Sequence, residues 1–143
     1  MQLFTRILNV LGVPIRLRLL RLVLSAKQEV RGGELVGVFG LPHYALSRHL
    51  GALQRVGLLQ VRKAGRSRFY TTAKTPDPAI RLLYQAVRRL EDEGVLVRDL
   101  QRLDQRLAMR GLPAPRRAGQ AGNGLRRRPA ERPTPPLPEE ASP

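Results

Sequence analysis

Apolar residues along the chain change spacing several times, and each change delimits an element. Leu3, Phe4, Ile7, Leu8, Val10 and Leu11 predict a short helix over 3–11, which Gly12-Val13-Pro14 breaks. Over 14–26, Ile15, Leu19, Leu22 and Val23 form a helical stripe while Arg16, Arg18 and Arg21 take other angles, so this second helix turns one face to a core. Arg31-Gly32-Gly33 marks a turn, 34–39 supplies one or two helical turns, and Gly40 turns the chain again. Leu46, Leu50 and Leu53 then recur at intervals of four and three, which sets one face of a helix over 42–57 against the core. Its other face carries His43, Tyr44, Ser47, Arg48, Gly51 and Arg55, a set of donors and acceptors without a carboxylate.

The period shortens to two over 58–63 and 67–72, and Ala64-Gly65-Arg66 joins these runs as a hairpin. A short bracing helix, a glycine turn, a helix with a polar outer face and a hairpin with a basic tip follow the order of parts in a winged helix-turn-helix. The expected fold class is therefore mainly α with a β-hairpin wing. After a hinge at Pro76-Asp77-Pro78, Ile80, Leu83, Val87, Leu90, Gly94 and Val97 resume a helical stripe, followed in a shifted phase by Leu96, Leu100, Leu103 and Leu107. One helix kinked near Gly94 or two helices fit this pattern, with Arg88–Asp92 and Arg89–Glu93 as i, i+4 ion pairs on the exposed side.

A stripe of that length exceeds what a winged domain of 1–75 covers, and it predicts a homodimer. Ile7, Leu8, Ile80, Leu83, Val87 and Leu90 are the expected dimerisation residues. Three regions result: the winged helix-turn-helix at 1–75, a dimerisation helix or helices at 76–110, and a Pro/Arg-rich tail at 111–143. The tail holds eight of the twelve prolines and has the composition of a disordered segment. Within it, Arg126-Arg127-Arg128 offers nonspecific phosphate contacts, and Pro133-Thr134-Pro135-Pro136 spells a PxxP that arises readily by chance in such a composition.

Charge sharpens this picture. Twenty-six Lys and Arg against 11 Asp and Glu give +15, an excess that attracts polyanions. No acid occurs between Glu34 and Asp77, where Arg48, Arg55, Arg62, Lys63, Arg66, Arg68 and Lys74 all lie, so the basic run coincides with the helix and hairpin. The chain has no cysteine, which excludes disulfides, thiolate metal sites and thiol redox chemistry. The N-terminus lacks the pattern of a signal peptide, and arginines interrupt the leucines that follow, so a cytoplasmic protein without a membrane span is expected. No nucleophile, base and orienter set stands out, and neither an enzyme nor a cofactor is expected.

With these parts in view, residues 11–70 resemble the ArsR/SmtB family of winged-helix repressors. Leu11-Gly12-Val13-Pro14-Ile15-Arg16-Leu17-Arg18-Leu19-Leu20 is similar to that family's opening motif, and Gly33-Glu34-Leu35 to the start of its bracing helix. Ala45-Leu46-Ser47-Arg48-His49-Leu50 and Val56-Gly57-Leu58-Leu59 resemble its recognition helix and the segment that follows, and Gly65-Arg66 with Phe69-Tyr70 resemble its wing. The resemblance implies that Ser47 and Arg48 meet the major groove, with His43 and Tyr44 at the helix N-terminus, and that Arg66 sits at the wing tip near phosphates or the minor groove. It also implies a dimer interface from the helices near 3–11 and 79–107.

Val13 and Pro42 depart from the family, standing where a capping residue is usual. Arg31, Gly32 and Gly33 occupy the positions of a metal-sensing Cys-x-Cys. His43 and His49, six apart, lie on different helix faces and are not expected to share a metal, and Glu91-Asp92-Glu93 with Asp99 reads as solvated, salt-paired carboxylates.

The function expected is a sequence-specific, dimeric transcriptional repressor of double-stranded DNA. Its DNA-binding set is His43, Tyr44, Ser47, Arg48, His49, Arg55, Arg62, Lys63, Arg66 and Arg68, and its regulation does not use a thiolate metal site. An organic ligand, an unusual metal site, a protein partner or no ligand at all are the options that remain for regulation. The alternatives are a nonspecific nucleic-acid packer or scaffold, which accounts for the charge but not for the winged-helix spacing, and a MarR-type regulator, whose wing is normally longer.

Overall fold

The breaks in the hydrophobic pattern become the ends of elements in the computed structural model, which describes residues 1–75, 77–90 and 94–110. In chain order these form α1 (Gln2–Leu11), α2 (Pro14–Ser25), β1 (Val30–Arg31), α3 (Gly32–Phe39), α4 (His43–Arg55), β2 (Leu59–Ala64), β3 (Ser67–Thr72), α5 (Pro78–Arg88) and α6 (Val95–Ala108). Pro14 and Pro78 each sit in a first helical turn, where the missing N–H has no partner to lose. Asp77 caps α5, its Oδ1 accepting from the Ala79 N–H at 2.8 Å. Neither Val13 nor Pro42 gives α2 or α4 a side-chain cap, in keeping with the residue types at those positions.

Gly94 decides between one C-terminal helix and two. Its φ of +83° lies in the left-handed region, which a continuous right-handed helix does not hold, and α6 starts one residue later.

Helix α2 is the hub: it packs on α1, α4, α5, α6 and β3. Its Leu19, Leu20 and Leu22 meet Leu35 and Val38 of α3, the three leucines of α4, and Ile80, Val87 and Leu103 from the last two helices in one aliphatic core. The regions 1–75 and 76–110 thus share that core. Burial at this level stabilises by about 1.5–3 kcal/mol per leucine.

The sheet has the order β1-β3-β2 and is antiparallel throughout, with Val61 opposite Tyr70 and Ala64 opposite Ser67 at the hairpin end. The two-residue β1 adds an edge through Val30 opposite Tyr70 and Arg31 opposite Phe69. In place of the turn expected at Arg31-Gly32-Gly33, Arg31 ends this strand and Gly32 begins α3; two residues leave no alternation for a sequence pattern to show. The Tyr84 hydroxyl on α5 lies 3.0 Å from the Leu58 carbonyl and 3.2 Å from that of Ala73, which holds α5 to the foot of the hairpin.

Arginines close the open carbonyl ends of several helices. Arg21 of α2 donates to the carbonyls of Val87 and Arg88 at the end of α5, and Arg88 Nε donates back to the Leu24 carbonyl of α2 at 3.2 Å. Arg102 Nη1 of α6 reaches the Val38 carbonyl at 3.3 Å near the end of α3. Positive side chains are favourable there, because the last carbonyls of a helix are unpaired and carry its negative end. Asp99 is buried at 2% exposure and is held by Arg18, whose Nε and Nη2 each donate to one carboxylate oxygen at 2.9 Å. Arg18 also lies over the Phe39 ring, 5.0 Å from its centroid.

The assignment of Ile7, Ile80 and Val87 to a dimer face is corrected here: their exposures are 0, 6 and 3%, and they belong to the chain's own core. Folding α5 and α6 back onto α2 and α3 covers much of the stripe that sequence alone left without a partner. Leu83 is half-buried against the core, whereas Leu8 and Leu90 stay exposed. Asp92, Glu93, the rest of the 91–93 cluster and all of 111–143 lie outside the described residues, so the ion pairs and tail motifs expected there do as well.

The Arg18–Asp99 pair makes an asymmetric prediction. Arg18→Met strands a buried carboxylate and should cost about 3–5 kcal/mol. Asp99→Leu leaves an arginine that already reaches solvent, its side chain being 32% exposed, and should cost less. Urea unfolding of both variants measures the difference, and the reverse order would show that Asp99 is not the desolvated partner.

Candidate nucleic-acid interface

The setting of α4 follows from its three core leucines. Leu46, Leu50 and Leu53 have 2% exposure or less, and they turn His43, Tyr44 and Arg48 outward, with Tyr44 71% exposed. Ser47 is partly covered. His43 opens the helix with its Nε2 4.0 Å from where a Cβ on Gly32 would stand, so the imidazole lies beside the first turn of α3. Gly40 separates α3 from α4 at a φ of +64°, which gives the bracing and outer helices their tight connection.

The wing follows α4 directly in the chain. Gly65 takes a φ of +58° in the two-residue turn between Ala64 and Ser67, and strands with a natural right-handed twist need a positive φ at that place. Lys63, Arg66 and Arg68 are exposed and have neither a hydrogen bond nor an ion pair among the described residues, and the same is true of Arg48.

Three members of the expected DNA-binding set differ. Arg62 is exposed but engaged: its Nε donates to both Glu29 oxygens, at 3.1 and 3.2 Å, and its guanidinium stands 4.6 Å from the Phe69 centroid. That hydrogen bond holds the Glu29 carboxyl below its ordinary pKa. His49 is partly buried, and its Nδ1 accepts from Arg16 Nε at 3.5 Å, which requires the neutral imidazole with its proton on Nε2. Burial first, and then the charge of Arg16, push its pKa down. Arg55 ends α4, about 18 Å along the helix axis from His43 at 1.5 Å per residue.

Sequence reasoning missed the base of the wing. Phe69 is ringed by three guanidiniums, those of Arg62, Arg31 at 5.2 Å and Arg110 at 5.9 Å. Arg110, just past α6, donates from Nε and Nη2 to the two Glu34 oxygens at 2.9 and 2.6 Å and from Nη2 to the Glu29 carbonyl at 2.9 Å. The Glu34 carboxylate also accepts from the Arg31 N–H at 2.7 Å at the start of α3. Glu29 and Glu34 are the only acids ahead of Asp77, and this scarcity was the available signal that each would be claimed by an arginine.

An exposed helix braced by a shorter one and followed by a basic hairpin defines a winged helix-turn-helix protein. Solved structures agree. HlyU from Vibrio cholerae N16961 is 32% identical, with a TM-score of 0.51 over 59% of this chain and 91% of that one. The reduced form of HlyU from the same organism is 28% identical, with a TM-score of 0.54 over 64% of this chain and 92% of that one. No protein-family model and no curated protein sequence matches. The chain belongs to the ArsR/SmtB family of winged-helix transcriptional regulators.

His49 gives a pH dependence of known sign. The unfolded chain takes up a proton near pH 6.5, while the folded chain, with its depressed pKa, does not. The unfolded state therefore binds more protons, and stability falls as pH drops below about 6.5 toward the lower folded pKa. Urea midpoints at pH 7 and pH 5 should differ less in His49→Gln than in the parent chain. An equal difference would assign the pH dependence to other groups.

Proposed function

We propose that this chain represses transcription by binding double-stranded DNA sequence-specifically as a homodimer, with α4 in the major groove and the β2–β3 wing against the neighbouring backbone. The observation that carries the reading is a surface with no carboxylate in its sequence span, made of the outer face of α4 and the wing tip. Arg48, Lys63, Arg66 and Arg68 are exposed there without a protein partner among the described residues. Free guanidiniums and ammoniums on a projecting helix and hairpin suit phosphates and guanine edges. His43, Tyr44 and Ser47 supply neutral donors and acceptors beside Arg48. His49, Arg55 and Arg62 have a lesser part, since the first and third have protein partners and the second lies at the far end of α4. Membership of a family of transcriptional regulators supports the same reading.

Pairing is read from α1 and α5, which flank α2. Leu3, Phe4 and Leu8 on α1 are 50, 39 and 48% exposed, and Leu82 on α5 is 63% exposed. Exposed apolar side chains on α1 and α5 favour a second copy of the chain. A two-fold axis then calls for an imperfect palindrome with half-site centres about 34–36 Å apart.

Arg48→Ala should cost about 1–3 kcal/mol on the operator and much less on shuffled DNA, whereas Arg66→Ala should weaken both and flatten the salt dependence. Fluorescence anisotropy with the chain's own upstream region and a shuffled duplex, at two salt concentrations, separates these effects. Equal losses on both duplexes for Arg48→Ala would favour a nonspecific packer.

For pairing, Leu8→Asp with Leu82→Asp should reduce the mass seen by sedimentation velocity from two chains to one, because both residues are exposed and the fold does not depend on them. A parent chain that sediments as a monomer would remove the dimer from this reading.

A further inference from the structure

A cleft of about 340 Å³ opens between α1, the first turn of α2 and the C-terminal half of α4. Arg6, Arg16 and Arg55 converge on it from three helices, with Asn9 beside them, and no carboxylate lines it. Its apolar lining is Val10, which is half-buried, and Ala52 and Val56, which are buried. Among the described residues Arg6 and Arg55 have no hydrogen bond or ion pair, and the one such bond of Arg16 is the long contact to His49. Both carboxylates ahead of Asp77 are engaged at the wing base. Three like charges facing one space of this size repel one another unless an anion lies among them.

We propose that this cleft is an effector site for a small organic anion, a carboxylate borne on a compact hydrocarbon body. The carboxylate suits the arginines, which bind that group bidentately and are stronger partners for it than neutral donors. The hydrocarbon suits the lining of Val10, Ala52 and Val56, and this distinguishes the ligand from inorganic phosphate, which has no apolar part. A cavity of this volume is at the lower end of small-molecule sites, in keeping with a single ring or a short branched chain.

The position gives the site a route to the outer face of α4. Ala52 and Arg55 belong to that helix, and Arg16 is bonded to His49 in its middle. A carboxylate that draws Arg16 toward the cleft removes the hydrogen bond at His49 Nδ1. The regulatory consequence rests on the DNA-binding reading above; the binding itself does not, and it is measured without DNA.

The test is an isothermal titration of the full chain with sodium benzoate, inorganic phosphate and benzylamine hydrochloride at matched ionic strength, with the His49 imidazole followed by NMR. Benzoate should bind saturably at one site per chain and shift the His49 resonances, while phosphate binds more weakly and benzylamine does not bind. Arg6→Gln with Arg55→Gln, both exposed, should weaken benzoate by about tenfold or more. Lys63→Gln with Arg68→Gln, which removes the same charge from the wing, should leave benzoate binding unchanged. Benzoate binding no tighter than phosphate, an unmoved His49, or equal losses in the two double variants would overturn the proposal, the last by reducing it to general attraction to a +15 chain. Absence of any operator preference in the ligand-free chain, with benzoate binding intact, would instead count against the DNA reading alone.

Discussion

The burial of Leu46, Leu50 and Leu53 fixes everything that α4 can present. A helix with three leucines on one stripe has one favourable rotation about its axis, and a turn away from it would return to water side chains whose burial is worth about 1.5–3 kcal/mol each. That rotation settles which residues face out: His43, Tyr44 and Arg48, with Ser47 at the margin. The wing is tied to the same core through Tyr70, which is buried, and through Tyr84 of α5 at the foot of the hairpin. Helix and wing thus rest on one core.

Net charge alone would make every arginine a candidate for nucleic acid, and the structure divides them. Arg18, Arg21, Arg88, Arg102 and Arg110 are engaged with a carboxylate or with helix-end carbonyls, and they join α5 and α6 to α2 and α3. Helices that end without a polar cap leave carbonyls exposed, and a long guanidinium reaching across from a neighbour satisfies them while its stem covers apolar surface. The Arg106 guanidinium lies over Gly37, and a methyl group there would require that guanidinium to shift. Among the described residues, the cations left without a protein partner include Arg48 of α4 and Lys63, Arg66 and Arg68 of the wing.

Much of this was legible from spacing. The helices, the hairpin and the turn at Gly40 follow from residues that pattern and conformational preference constrain locally, such as Pro14, Gly65 and the leucines of α4. The order of bracing helix, glycine turn, outer helix and hairpin carried the fold class, and the motifs between Leu11 and Tyr70 carried the family resemblance. What could not be read was long-range. Periodicity shows that Ile80 and Val87 face something apolar, but whether that is α2 of the same chain or a second copy depends on how the chain turns at Gly94 and returns. Ile7 was indistinguishable in sequence from Leu8 for the same reason, although one is buried and the other half exposed. Strand β1 and two of the three guanidiniums around Phe69, those of Arg31 and Arg110, depend on contacts 38 to 41 residues apart in sequence, and only the rarity of Glu29 and Glu34 hinted at them.

That rarity is itself a physical control. Two carboxylates stand among the cations of the first 76 residues, and both lie at the base of the wing rather than at its tip. There they compensate Arg62 and Arg110, which otherwise would face Arg31 across the Phe69 ring as like charges. An acid nearer the tip would instead attract Lys63, Arg66 or Arg68 and take them from solvent. The location of the few acids therefore determines which cations stay available, and it ties the end of α6 to the wing through Glu34. A change at Glu34 would reach three elements together, the start of α3, the wing base and the end of α6, because one carboxylate holds all three.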